Sequence, residues 1–199
     1  MAAIKIAING FDRIGRSVFK IAHSRNDVHV VAIRSEYDAD TAAYLLKHDS
    51  VYGNYARAVK ADTERIVVGE TRVDIVSNLQ PVKKAWQNQI VDVVIDTTGA
   101  EAARLKDHIA AGAKQVAALS AADNIETIVM GVNDDSVGSV SNVVSAGEPG
   151  AVSVAPVLAV LEQAFALKKS TLTVIDNSSP LDQIDNRSEE RRVGKECRS

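Results

Sequence analysis

Hydrophobic positions along this chain change period repeatedly, and the changes divide it into alternating strands and helices. Ile4 to Asn9 reads as a short apolar strand, after which Ile14, Val18 and Ile21 recur at the i, i+4, i+7 spacing of one helix face. A second strand is predicted over Val28 to Arg34 and a second helix around Asp40 to Leu46. From Ala58 to Val76 the runs AVKAD, RIVV and TRVDIVS are parted by a polar pair and by Gly69-Glu70, which predicts short antiparallel strands joined by tight turns. Val91 to Thr97 is so continuously apolar that it reads as a strand buried on both faces of a parallel sheet. Ala102, Leu105 and Ile109 mark the face of a following helix, Gly112 stands where a left-handed residue closes a C-terminus, and Gln115 to Leu119 supplies the next strand. Thr127 to Met130 and Asn142 to Ser145 fit two more.

This order predicts an α/β domain with a doubly wound, mostly parallel sheet, right-handed crossovers and a small antiparallel β insertion. After Ser145 the pattern shifts to a small-residue loop, AGEPGA, then to a helix from about Pro156 to Leu167 with Leu158, Leu161 and Phe165 on one face, then to a strand over Thr171 to Ile175. One helix and one strand cannot bury a core by themselves, so they are expected to open a second domain that is truncated. The last thirteen residues, from Arg187, carry five basic and three acidic side chains with almost no apolar periodicity. They are similar to a translated sequencing-library adapter and are set aside from the fold.

Composition narrows the function classes. With 46% hydrophobic and 25% charged residues, the 199-residue chain falls among globular proteins, and its net charge of −3 comes without the basic stripe that nucleic-acid binding needs. No apolar run approaches the roughly 20 residues that span a bilayer, no signal-peptide pattern opens the chain, and one cysteine makes no disulfide framework. A cytoplasmic protein without a membrane or nucleic-acid partner is expected. The four histidines, His23, His29, His48 and His108, lack the close pairing of a metal site, so surface or helix-flank positions are expected of them, and packing roles of Trp86 and Tyr44.

The segment INGFDRIGR, Ile8 to Arg16, follows a strand and opens a helix, the context of a dinucleotide fingerprint. Gly10 fits the tight turn, Gly15 lets the helix approach the sheet, and the helix N-terminus offers unpaired N–H groups to a pyrophosphate. INGFDRIGR differs at one position from the INGFGRIGR of glyceraldehyde-3-phosphate dehydrogenases, and the chain resembles that family onward through DADTAAYLLKHDSVYG, VDVVIDTTG, HIAAGAKQV and VMGVND, in the same order. Erythrose-4-phosphate dehydrogenases share these landmarks. The resemblance implies a Rossmann NAD(P)-binding domain over residues 1–147 and the start of an α+β catalytic domain over 148–186, ahead of the set-aside tail over 187–199. It also implies NAD or NADP as cofactor, and a family homotetramer that this chain is not expected to form normally.

The cofactor residues implied are Asn9, Gly10, Asp12, Arg13, Ile14, Gly15, Arg34, Ser35, Thr98, Gly99 and Ser120, the threonine-glycine pair lying near the nicotinamide ribose. Asp12 stands at the fingerprint's second glycine. Its carboxylate either faces the pyrophosphate, at a cost of about 4 kcal/mol for unit charges roughly 4 Å apart, or caps the helix and turns away. Ser35 takes the place of the acid that holds the adenosine ribose in the family. With Arg34 beside it this either favours the 2′-phosphate of NADP or leaves Arg34 paired with Glu36 on the surface. Counting back from Ala155-Pro156 puts Pro149 at the family's nucleophilic cysteine, and Asp176 stands where the family has its catalytic histidine. The only cysteine is Cys197, and all four histidines precede residue 109. The resemblance therefore implies a family oxidation of a phosphorylated aldehyde that this chain does not perform. The alternatives are a noncatalytic nucleotide- or partner-binding homologue and the product of a damaged gene.

Overall fold

A computed structural model describes residues 3–50, 52–87, 89–136 and 142–173. The first predicted unit forms as β1 (Ile4–Asn9) and α1 (Arg13–His23), and β2 (Val28–Ser35) returns parallel to β1. There follow α2 (Ala39–Lys47), β3 (Val59–Asp62), β4 (Arg65–Val68), β5 (Thr71–Ser77), a single helical turn α3 (Val82–Ala85), β6 (Val93–Asp96), α4 (Ala102–Ala110), β7 (Gln115–Ala118), β8 (Glu126–Thr127), β9 (Val143–Ser145) and α5 (Pro149–Phe165). One sheet holds all nine strands, in the order β3-β4-β5-β2-β1-β6-β7-β9-β8. The chain builds outward from β1 through β2 to β5, then lays β6 on the opposite side of β1. That reversal leaves the ends of β1 and β6 without a crossing connection above them, the place where doubly wound sheets open a crevice.

The TRVDIVS run does more than fill an insertion. As β5 it pairs antiparallel with β4 and parallel with β2, so it is at once the last strand of the β-rich segment and a strand of the main sheet. The pairing of β1 with β2 slips by one residue after Ile6, which partners Val30, while Ala7 partners Ala32. This bulge puts Val30 and Ile33 on one face of the sheet and Ala32 on the other. On the first face Ile6, Ile8, Phe19, Ile33 and Leu46 build one core with α1 and α2. Trp86, Val94, Leu105 and Val116 build the second.

Several predicted elements shift. The face of α1 that packs on the sheet is Gly15, Phe19 and Ala22, while Ile14 and Ile21, 47% and 64% exposed, lie outside it. Both triads have helical spacing, and the need for Gly15 to sit against the preceding loop decides between them. Gly112, with φ +107, ends α4 in a Schellman arrangement: its N–H donates to the Ile109 carbonyl and that of Ala113 to the His108 carbonyl. The strand predicted over Thr127 to Met130 shrinks to β8, extended by one hydrogen bond from Ile128 N to the Ser145 carbonyl. The AGEPGA loop is shorter than expected, because α5 starts at Pro149 and runs through Pro156; proline suits a first helical position, where its missing N–H has no partner to lose. Thr171 to Thr173 adopt no regular structure, and the rest of the strand predicted there, with Asp176 and Cys197, lies outside the described residues. Among the described residues, no helix is long and apolar enough to cross a membrane.

Candidate functional site

The turn after β1 is built for close approach. Gly10 has φ +101, and a Cβ on it would stand 2.4 Å from Thr97 Oγ1. A Cβ on Gly15 would stand 2.3 Å from the Gly10 carbonyl oxygen. The two glycines thus let the first turn of α1 rest directly on the β1 loop and aim the helix N-terminus over the end of the sheet. There a cleft of about 310 Å³ opens, and Asn9, Gly10, Asp12, Arg13, Arg34, Ser35 and Thr98 line it together. Phe11, Arg16, Glu36, Tyr37, Leu45 and Asn78 complete the lining; Phe11 and Arg16 belong to the fingerprint segment and Glu36 neighbours Ser35, whereas the sequence context of Tyr37, Leu45 and Asn78 gives no reason to select them ahead of the structure.

Asp12 adopts the capping alternative. It is the N-cap of α1, its Oδ1 accepting from Gly15 N at 2.7 Å and from Thr97 Oγ1 at 3.2 Å. The carboxylate still borders the cleft, so it occupies one of the helix-terminal N–H groups while its charge stays near the position an anion would take. Arg34 does not pair with Glu36. Its guanidinium donates to Asn9 Oδ1 at 3.1 Å and to the carbonyls of Asn78 and Gln80 at 2.6 and 2.9 Å. Burial pushes the Arg34 pKa down, against the opposing pull of the Asp96 charge. Ser35 is buried at the end of β2, where its hydroxyl accepts from Tyr37 N.

Beneath the cleft lies a polar cluster that sequence reading did not single out. Asp96, the last residue of β6, accepts at Oδ2 from Asn9 Nδ2 (2.5 Å) and His108 Nε2 (3.2 Å), and at Oδ1 from Thr98 N (2.9 Å) and Thr98 Oγ1 (2.8 Å). Burial pushes its pKa up, but the hydrogen bonds from His108, Asn9 and Thr98 outweigh it and hold the carboxyl below its ordinary range. His108 corrects an expectation: it is 1% exposed and stacks on Trp86, whose indole N–H donates to His108 Nδ1 at 2.9 Å. Trp86 is a packing residue as expected; Tyr44 is 53% exposed and lies against His48. Asn9 and Thr98 are implied as cofactor residues, and the one sequence signal for the acid that joins them is its place closing the apolar run VVID beside two threonines. His108 has none, because its partners lie 12 and 22 residues away.

Residues 4–104 match the glyceraldehyde 3-phosphate dehydrogenase NAD binding domain, half of the chain and the part that builds the cleft. The chain belongs to the glyceraldehyde-3-phosphate dehydrogenase family. It is 34% identical to glyceraldehyde-3-phosphate dehydrogenase 2 of Bacillus subtilis, over 98% of this chain and 58% of the relative. It is 39% identical to the Priestia megaterium glyceraldehyde-3-phosphate dehydrogenase, over 92% and 56%. With glyceraldehyde-3-phosphate dehydrogenase 3 of Saccharomyces cerevisiae the figure is 35%, over 86% and 53%. The chain thus spans a little over half the length of the curated relatives it matches.

The remaining residues implied by the family resemblance lie apart from the cleft lining. Ile14 is half-exposed on α1, and Gly15 packs behind it. Gly99, at φ +68, follows Thr98 in open space. Ser120 leaves the end of β7, two strands from β1, and its carbonyl accepts from Ser145 Oγ. Pro149 is the first residue of α5, and the preceding Glu148 accepts from Ala121 N at 3.1 Å, so this family position sits at the same end of the sheet.

Proposed function

We propose that this chain binds a nicotinamide dinucleotide in the cleft between β1 and β2 and that its own residues do not carry out the family's oxidation of a phosphorylated aldehyde. The observation that supports binding is the cradle itself. A positive-φ Gly10 and a Gly15 too close to its neighbour for any Cβ bring the α1 N-terminus to the switch point of the sheet. In this reading the N–H groups of the first turn and Arg13 hold the pyrophosphate, Ser35, Glu36 and Tyr37 border the adenosine, and Thr98 meets a ribose. Every lining residue lies between Asn9 and Thr98 of one chain, so the cleft needs no second copy. When bound, the cofactor supplies a hydride acceptor.

The family's covalent chemistry needs a thiolate beside a base. Pro149 has no nucleophile and no N–H, and it begins a helix where the reaction would require a side chain aimed at substrate. Asp176 stands at the histidine position, and Cys197 is the only thiol of the chain. Fluorescence titration of the chain with NADH and with NADPH tests the binding half: saturation by at least one below millimolar concentration is expected, and saturation by neither overturns it. The catalytic half is tested with glyceraldehyde 3-phosphate, phosphate and NAD. No NADH formation above the protein-free rate is expected, and turnover that persists in Cys197→Ser refutes it.

A further inference from the structure

The buried carboxylate under the cleft floor has four acceptor positions, and four donors fill them. A hydroxyl has one proton to give, and that of Thr98 goes to Asp96 Oδ1. The Thr98 oxygen is left with lone pairs only. An asparagine amide has a donor end and an acceptor end, and the Asn9 Nδ2 contact with Asp96 turns Oδ1 toward Arg34 Nη1. On the far side, the Trp86 indole N–H occupies His108 Nδ1, so the ring proton of neutral His108 sits on Nε2, facing Asp96. Asn9, Trp86, Asp96 and His108 are each at most 4% exposed, and water does not reset these orientations.

We infer that Asp96 is the positioning residue of this cleft: it fixes Thr98 as an acceptor for a ligand hydroxyl and Asn9 as the holder of Arg34, with His108 and Trp86 as its backing. The inference rests on the dinucleotide reading for the identity of the hydroxyl, which is a ribose O–H. The chemistry is directional. An ionised carboxylate can only accept, so every group around it must present a proton, and the two of these residues that line the cleft, Asn9 and Thr98, turn their acceptor oxygens away from it. The depressed pKa of Asp96 agrees with a carboxylate that stays ionised there. An amide in its place would bring two donors of its own into a ring of donors.

The test compares wild type, Thr98→Val, Asp96→Asn and the double variant by NADH titration, with far-UV circular dichroism for fold. Each single change is expected to weaken NADH roughly tenfold, the loss of about one hydrogen bond to a polar ligand group. Thr98→Ser restores wild-type affinity. The double variant is expected to bind no worse than Asp96→Asn, because the Thr98 hydroxyl has by then lost its imposed direction. Multiplying losses overturn the inference. His108→Ala leaves every lining residue in place and serves if Asp96→Asn does not fold; a several-fold weaker NADH affinity is expected, and an unchanged one overturns the inference. A ligand-free readout separates this from failure of the dinucleotide reading. Long-range ¹H–¹⁵N spectra should show His108 as the Nε2–H tautomer and the single indole resonance shifted in His108→Ala; an Nδ1–H tautomer refutes the relay even where wild type binds no NADH.

Discussion

A carboxylate at the second fingerprint position acts through both its charge and its oxygens, and the two act in opposite directions. Through Oδ1, Asp12 caps α1 and ties it to Thr97, which stabilises the helix end. Through its charge, half-screened at the cleft edge, it opposes a pyrophosphate approaching the same N–H groups. Asp12→Gly is therefore expected to split the two effects: unfolding free energy falls by roughly 0.5 kcal/mol, since glycine is a tolerable cap, while NADH affinity rises roughly tenfold once the repulsion is discounted for solvent screening. Equal or weaker NADH binding by the variant would show that the cap, and not the charge, governs the site. The sequence left both readings of Asp12 open because cap and repulsion use the same residue type at the same position. Only the direction of the carboxylate distinguishes them. Arg34 is a parallel case, in which three protein acceptors take up the guanidinium that the sequence offered either to a 2′-phosphate or to Glu36.

Among the elements, local pattern read well wherever one face was unambiguous. The apolar run of β1, and the polar pair and Gly69-Glu70 between β3, β4 and β5, mark their own limits, and these elements stand where the pattern put them. Pattern failed where a contact distant in sequence chose between equal options. Of the apolar triad, Val18 packs against the core at its edge, but Ile14 and Ile21 gave way to Gly15, Phe19 and Ala22 because the approach to Gly10 orients α1, and no hydrophobicity count contains that distance. The same was true of β5, whose second partner lies across the sheet, and of α5, whose start at Pro149 is a matter of helix-end geometry. Gly15→Ala probes the decisive contact directly. A methyl 2.3 Å from the Gly10 oxygen forces α1 off its loop, with an expected cost of about 1–3 kcal/mol and loss of NADH binding. Urea unfolding should show a lower midpoint at an unchanged slope, and an unshifted midpoint would mean that α1 does not rest on this contact.

For the molecule as a whole, Asp96 ties the two halves of the sheet together under the cleft where β1 meets β6, and it is fed by Asn9 from β1, Thr98 beyond β6, and His108 from α4 with Trp86 behind it. The nucleotide-binding fold was legible from glycine spacing and strand order, whereas this buried link was not: its members are scattered over residues 9–108, Asn9 and Thr98 were singled out only for the cofactor, and Trp86, Asp96 and His108 taken singly read as packing or surface. Its consequence is a pH dependence of global stability with a definite sign. Asp96 has a pKa held below its ordinary value in the folded chain, so the unfolded chain binds protons first as the solution is acidified. The contribution of Asp96 is full above about pH 4, the ordinary carboxylate range, and declines as the pH falls through that value toward the lower folded one. Asp27, Asp38 and Asp92 are depressed in the same direction, but Asp27 and Asp38 are exposed and Asp92 is a half-buried carboxylate paired at the surface with Lys114. Salt screens such groups and leaves a buried one largely untouched. Urea unfolding of wild type at pH 6 and pH 3, repeated in high salt, should therefore show an acid loss that persists with salt and shrinks in Asp96→Asn. A loss that salt abolishes, or one that Asp96→Asn retains in full, would place the acid sensitivity on the surface and leave Asp96 without a part in holding the two halves of the sheet together.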